Sequence, residues 1–157
     1  MTIANLVILF IRYGIVVLFF PASALDKILD FKTAVGQAKE VFSSTTLAKT
    51  LIVVGIFVEL VMPLAILSGI ADRLAAFILA GYCAVTAVLF KRFWQPGDFW
   101  TSGKSQGRTL FWDFLKNFSL ASGMLLITVG LDGQTAHVFV MHPLSSSQPY
   151  ASPLAHR

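Results

Sequence analysis

Four stretches of this chain are apolar for long enough to cross a hydrocarbon core, and no other feature restricts its fold as strongly. A crossing takes about 20 consecutive apolar residues wound as a helix, because lipid leaves no water to satisfy exposed backbone groups. The segments are Leu6–Leu25, Leu51–Ile70, Leu74–Phe90 and Phe114–Leu131. Hydrophobic residues make up 56% of the chain and charged ones 13%. Soluble domains carry about 25% charged residues, so this chain has too little charge to cover a water-facing surface. The expected fold is an all-α membrane protein: a four-transmembrane-helix bundle over residues 1–132, followed by a Ser/Pro-rich tail over 133–157.

The first apolar run ends in Ala22-Ser23-Ala24, the small-residue pattern of a leader cleavage site. A leader has a charged amino-terminal region ahead of its apolar core. Here "MTIAN" carries no charged side chain and Arg12 sits inside the core, so a retained helix is expected, bent in its last turn by Pro21. The connection to the second span, "KILDFKTAVGQAKEVF", places Ile28, Phe31, Val35, Ala38 and Phe42 at three- and four-residue steps. That spacing predicts an amphipathic helix lying in the membrane interface or packing under the bundle.

Basic residues near span ends set orientation. Lys27, Lys32, Lys39, Lys49, Lys91, Arg92, Lys104, Arg108 and Lys116 fall on the side of the first and third loops, against Arg12, Arg73 and Arg157 on the other. Both termini are therefore expected outside the cytoplasm. The third loop and its flanks hold all three tryptophans, Trp94, Trp100 and Trp112, beside basic residues. Such rings settle among headgroups, so loop 91–113 is expected to anchor at the interface, with a partner-docking surface or the mouth of a lipid or quinone site as the alternatives. In the third and fourth spans, Ala76, Ala80 and Ala84, and Ser119 with Gly123, give small residues the four-residue step of close helix approach.

Charge within a span costs about 2.5–3.5 kcal/mol on insertion scales and so calls for a partner. Glu59 lies ten residues before Gly69, and Arg12 lies seven after Asn5. If those two ends are level, the charges differ in depth by roughly 5 Å, and they are expected to pair. Pro63 frees the Glu59 carbonyl as a further acceptor, and Arg73 is placed to join from above. The cluster reads as helix pairing or as a ligand site.

What is missing narrows the chemistry. No histidine occurs between residues 1 and 136 to ligate haem in the spans or to build a hydrolytic triad, and Cys83 has no partner for disulfide exchange. His137 and His142 stand without the company a metal site needs, and the net charge of +4 is too scattered for nucleic acid. No catalytic residue, metal site or intrinsic cofactor is assigned, and the chain is not expected to be an enzyme alone.

The order Arg12-x-Gly14, Phe19, Lys27, then "ELVMPLAILSGIADRLAA" from Glu59 to Ala76, then "KNFSLASG" from Lys116 to Gly123, resembles the DoxX family of small four-helix membrane proteins over about residues 8–130. The resemblance implies a multi-pass bacterial inner-membrane protein. The family takes its name from a subunit linked to a terminal quinol oxidase and to thiosulfate:quinone oxidoreductase in an archaeon, and other members are tied to oxidative-stress assemblies. Arg12, Lys27, Glu59 and Arg73 match the family's polar positions, while Pro63 stands where many members have glycine. The expected role is an accessory subunit of a membrane redox or stress-response complex, contacting quinone or lipid near Arg12 and Glu59. Its partners would be membrane lipids and other redox subunits or a second copy. The alternatives are an assembly factor docking clients through the aromatic loop, and a small-solute carrier, which the lack of a second pseudo-symmetric half disfavours.

Overall fold

The computed structural model describes residues 3–130 and 133–151, and over them it is helical without strands. The helices are α1 (Ile3–Val16), α2 (Phe20–Leu29), α3 (Phe31–Lys39), α4 (Thr45–Ser68), α5 (Asp72–Phe90), α6 (Gln106–Val129) and α7 (Gly133–Met141). Four helical units are long and apolar enough to cross a membrane: Ile3–Leu29, which joins α1 and α2, then α4, α5 and α6.

Caps, rather than hydropathy, fix where these helices begin. The Ser44 hydroxyl accepts from the Leu47 N–H at 3.3 Å, so the second span starts at Thr45 instead of residue 51. The Ser105 hydroxyl accepts from Arg108, and the Asp98 carboxylate accepts from the Gln106 and Gly107 N–H groups at 2.7 and 2.8 Å. The fourth span therefore begins at Gln106, eight residues before the apolar stretch. These groups satisfy amides that a helix start leaves open. The first span is interrupted at 17–19, just ahead of Pro21 in the first turn of α2.

The amphipathic segment is divided between two helices. Asp30 ends α2 and caps α3 through the Thr33 N–H, so Ile28 belongs to α2. On α3, Val35 and Ala38 are buried against Ala48 of α4, with Phe31, Ile52 and Phe90 around them.

The main core gathers Val16, Phe20, Ile66, Leu79 and Met124 with small residues of α5 and α6. On α5, Ala76 and Ala80 are buried as the four-residue step predicts. On α6 the expected face is corrected: Ser119 is exposed, and packing runs through Ala121, Met124 and Thr128. Helix α2 packs on α4, α4 on α5, and α5 on α6, with no extensive packing between α2 and α6. The sheaf is thus closed around Phe20 and Leu79 and splayed toward the first and third loops.

Over residues 133–151 the Ser/Pro-rich tail folds back on the helices. Phe139 meets Phe77 with ring centroids 5.5 Å apart, the Tyr150 hydroxyl donates to the Leu67 carbonyl at 2.6 Å, and Asn5 donates to the Tyr150 carbonyl. Residues 152–157 lie outside the described residues.

Candidate functional site

The buried charges form two clusters instead of the single Arg12–Glu59 pair. Glu59 is held mid-helix on α4 with its side chain 3% exposed. Lys27, on α2, donates to both of its carboxylate oxygens at 2.9 Å. Ser23, one turn earlier, donates to Glu59 Oε1 at 2.9 Å and accepts from Lys27 at 2.6 Å. From α5 the Tyr82 hydroxyl donates to the same oxygen at 3.0 Å. Gly55, one turn before Glu59, makes this approach possible, because a Cβ there would stand 3.1 Å from the Tyr82 oxygen.

Arg12 belongs to the second cluster. It donates to Asp72 Oδ2 and to the Ile66 carbonyl, each at 2.7 Å, and to the Ser147 hydroxyl at 2.6 Å. The Ser147 N–H and hydroxyl both donate to Asp72, which is fully buried. The expected pairing fails because the Arg12 guanidinium reaches toward the end of α4: level ends would set it beside Met62, whereas it bonds the Ile66 carbonyl four residues further along, roughly 6 Å away. Arg73 joins neither cluster: it donates to the Thr128 carbonyl at 3.2 Å and the Thr135 carbonyl at 3.4 Å, tying α5 to α6 and α7.

Sequence reasoning found Arg12, Lys27 and Glu59 but missed Asp72, Ser23, Tyr82 and Ser147. Asp72 at a helix start reads as an ordinary first-turn acid, and a lone serine or tyrosine in an apolar run carries no pairing signal. Ser23 comes from the Ala-Ser-Ala stretch that resembles a cleavage site.

The Glu59 cluster stands at the inner end of a cavity of about 670 Å³ between α2–α3 and α5, backed by α4. That size lies within the usual range for small-molecule sites, about 300–1,000 Å³. Its walls are apolar through Leu51, Val54, Val85 and Leu89, and Phe42, Phe90 and Lys91 line it toward the first and third loops. Leu47, Leu51, Val54 and Val85 are exposed along its rim, so in a bilayer the opening faces hydrocarbon. Asp30, Gln37, Lys91 and Asn117 also line it, so the apolar walls lie between a polar loop side and the Glu59 cluster, and they fit a lipid-soluble molecule whose polar head meets that cluster. The Arg12 cluster lines no part of this cavity.

The aromatic loop is a built knob. Phe93 packs on Trp94, Phe99, Phe111 and Phe114. Arg108 donates to the carbonyls of Phe99 and Thr101 at 2.7 and 2.6 Å and also to that of Gly103. Asp98 lies outside the spans, and its carboxyl is held below the ordinary carboxylate range, chiefly by the Gly107 N–H and then by that of Gln106. Trp94, Trp100 and Trp112 are exposed, Trp100 at 90%. Among the described residues no three His, Cys, Asp or Glu side chains gather as a metal site would require.

The sequence model of the DoxX family matches residues 7–92, more than half of the chain. The matched stretch contains Arg12, Ser23, Lys27, Glu59, Asp72 and Tyr82, and it ends before the aromatic knob and "KNFSLASG". No curated protein and no solved structure matches the chain.

Proposed function

The chain belongs to the DoxX family, and from that premise we propose that it is an accessory subunit of a quinone-linked or oxidative-stress redox complex in the bacterial inner membrane. Four apolar helices together with the family make it a multi-pass membrane protein. The cavity ending at Glu59, Lys27, Ser23 and Tyr82 is the single observation that supports the reading. Lipid-soluble redox carriers reach a membrane protein through hydrocarbon and are oriented by a few polar groups at the end of an apolar pocket. Bound there, a quinone would supply the electron-carrying chemistry. The chain's own residues would hold its head: Lys27 through an N–H to a quinone carbonyl, and the Tyr82 oxygen by accepting from the hydroxyl of the reduced, quinol form.

In this reading the first and third loops face the cytoplasm, both termini lie outside, and α3 lies at the cytoplasmic interface. Intact extraction in mild detergent followed by native mass spectrometry tests it. An oxidoreductase subunit or a quinone is expected to come with the protein. A bare helical sheaf carrying neither would overturn it.

One observation favours a second reading, an assembly factor. The knob is pre-ordered by Asp98 and Arg108 before any partner arrives, so docking through Trp100 would cost little ordering entropy. Replacing Trp94, Trp100 and Trp112 together should then abolish client capture while the fold survives.

A further inference from the structure

We infer that the cavity selects an uncharged lipid-soluble molecule whose head accepts a hydrogen bond, rejects anionic amphiphiles such as fatty acids, and uses Lys27 as the group that reads the head. The inference rests on the reading of the cavity as a quinone or lipid site and adds the charge rule for that site.

Five formally charged side chains line the cavity: Asp26, Asp30 and Glu59 against Lys27 and Lys91. Lys91 is also engaged outside it, with Asp113 at 3.4 Å. The walls are therefore negative before anything enters. A carboxylate or phosphate head would add a further negative charge beside buried Glu59, where protein screens it weakly, while the exposed Asp26 and Asp30 add a more screened repulsion at the loop side. A neutral head adds none.

The hydrogen bonds of the inner end decide which neutral head fits. Glu59 and Lys27 both line the cavity, but the Glu59 side chain is only 3% exposed whereas that of Lys27 is 22% exposed, so the lysine is the more accessible member of the pair. Lys27 donates to both carboxylate oxygens and to the Ser23 hydroxyl, which engages its three N–H groups, and a ligand carbonyl would take the place of one carboxylate bond while the other and the Ser23 bond stay. Glu59 Oε1 meanwhile retains Ser23 and Tyr82. The available donor is thus a lysine N–H, whose complement is a carbonyl oxygen. The Tyr82 proton is committed to Glu59, leaving its oxygen to accept from a hydroxyl on the same head.

The test uses the full chain in nanodiscs of uncharged lipid with two probes of matched chain length, a decyl-substituted benzoquinone and dodecanoate, read by native mass spectrometry. The native protein is expected to prefer the quinone by about tenfold or more. Asp26→Asn with Asp30→Asn should narrow that preference about tenfold by improving dodecanoate binding. Asparagine caps a helix as well as aspartate, so this variant keeps the start of α3. Lys27→Arg should retain quinone and Lys27→Gln should lose it. Dodecanoate binding as tightly as quinone, or a preference indifferent to the two asparagines, overturns the charge rule and leaves the cavity reading standing. Failure of both probes to bind overturns the cavity reading and this inference together.

Discussion

Glu59 and Arg12 each solve the same problem, a formal charge surrounded by apolar side chains, with different partners. The contrast shows what sequence can and cannot say at the scale of single residues. That each needs company follows from the cost of an unpaired charge in lipid, so their burial was legible. Which partner each finds depends on helix levels, and the break at 17–19 together with the displacement of α1 lies beyond what residue counting resolves. Breaking a buried pair from one side leaves an uncompensated charge and costs about 3–5 kcal/mol, whereas removing both charges is far milder. Glu59→Gln and Lys27→Met should therefore each lower the melting temperature in detergent, and the double variant should recover much of the loss. Single variants as stable as the parent would show that the pair does not hold α2 to α4. A gentler probe is Gly55→Ala, whose methyl would meet the Tyr82 oxygen at 3.1 Å. It should push the tyrosine off Glu59 at a cost of about 1–3 kcal/mol, the usual range for overpacking.

At the scale of elements, length and hydropathy were enough to reveal four helices able to cross a membrane, but their starting points were set by side chains outside the apolar runs. Asp98 shows why. It lies eight residues before Gln106, among turn residues, yet its carboxylate closes the first turn of α6. A start signal at that distance does not follow the local spacing of a capping box. Its depressed ionisation gives the element a pH response of definite sign. A carboxylate held below its ordinary value of about 3.9 stabilises the fold at any pH above that value, and the contribution is lost as pH falls toward the folded-state value. The α6 start and the knob should loosen on acidification below about pH 4. Tryptophan emission from Trp94, Trp100 and Trp112 should shift over that window, and Asp98→Asn should remove most of the shift. A profile identical in both proteins would mean that some other group governs the loop.

Across the whole molecule the two clusters divide the labour: one ties the sheaf shut around α1 and the tail, the other sits where the sheaf opens. The tail's part was hidden in the sequence, because a Ser/Pro-rich composition looks the same whether the segment is solvated or docked. The proposed orientation assigns these ends to opposite faces. A reporter active only outside the cytoplasm should light up when fused to either terminus and stay dark in the first loop, and the reverse pattern would invert the assignment. The closed end makes a separate mechanical claim. Helix α1 exposes Ile3, Phe10 and Ile11, and besides Val16 in the core and the Asn5 bond to Tyr150 it is joined to α4, α5 and the tail by the guanidinium of Arg12. Ser147 bonds both charges of that junction, so Ser147→Ala removes hydrogen bonds to charged groups worth about 1.5–3 kcal/mol each. Ending the chain after Met141 removes the Tyr150 tie as well and should lower the melting temperature further. Because the junction lines no part of the cavity, quinone retention measured well below the melting range should survive both changes. Equal melting of all three proteins would mean that the tail merely rests on the sheaf, while quinone lost from the tailless form at low temperature would mean that α1 transmits its docking to α2 and thence to Lys27.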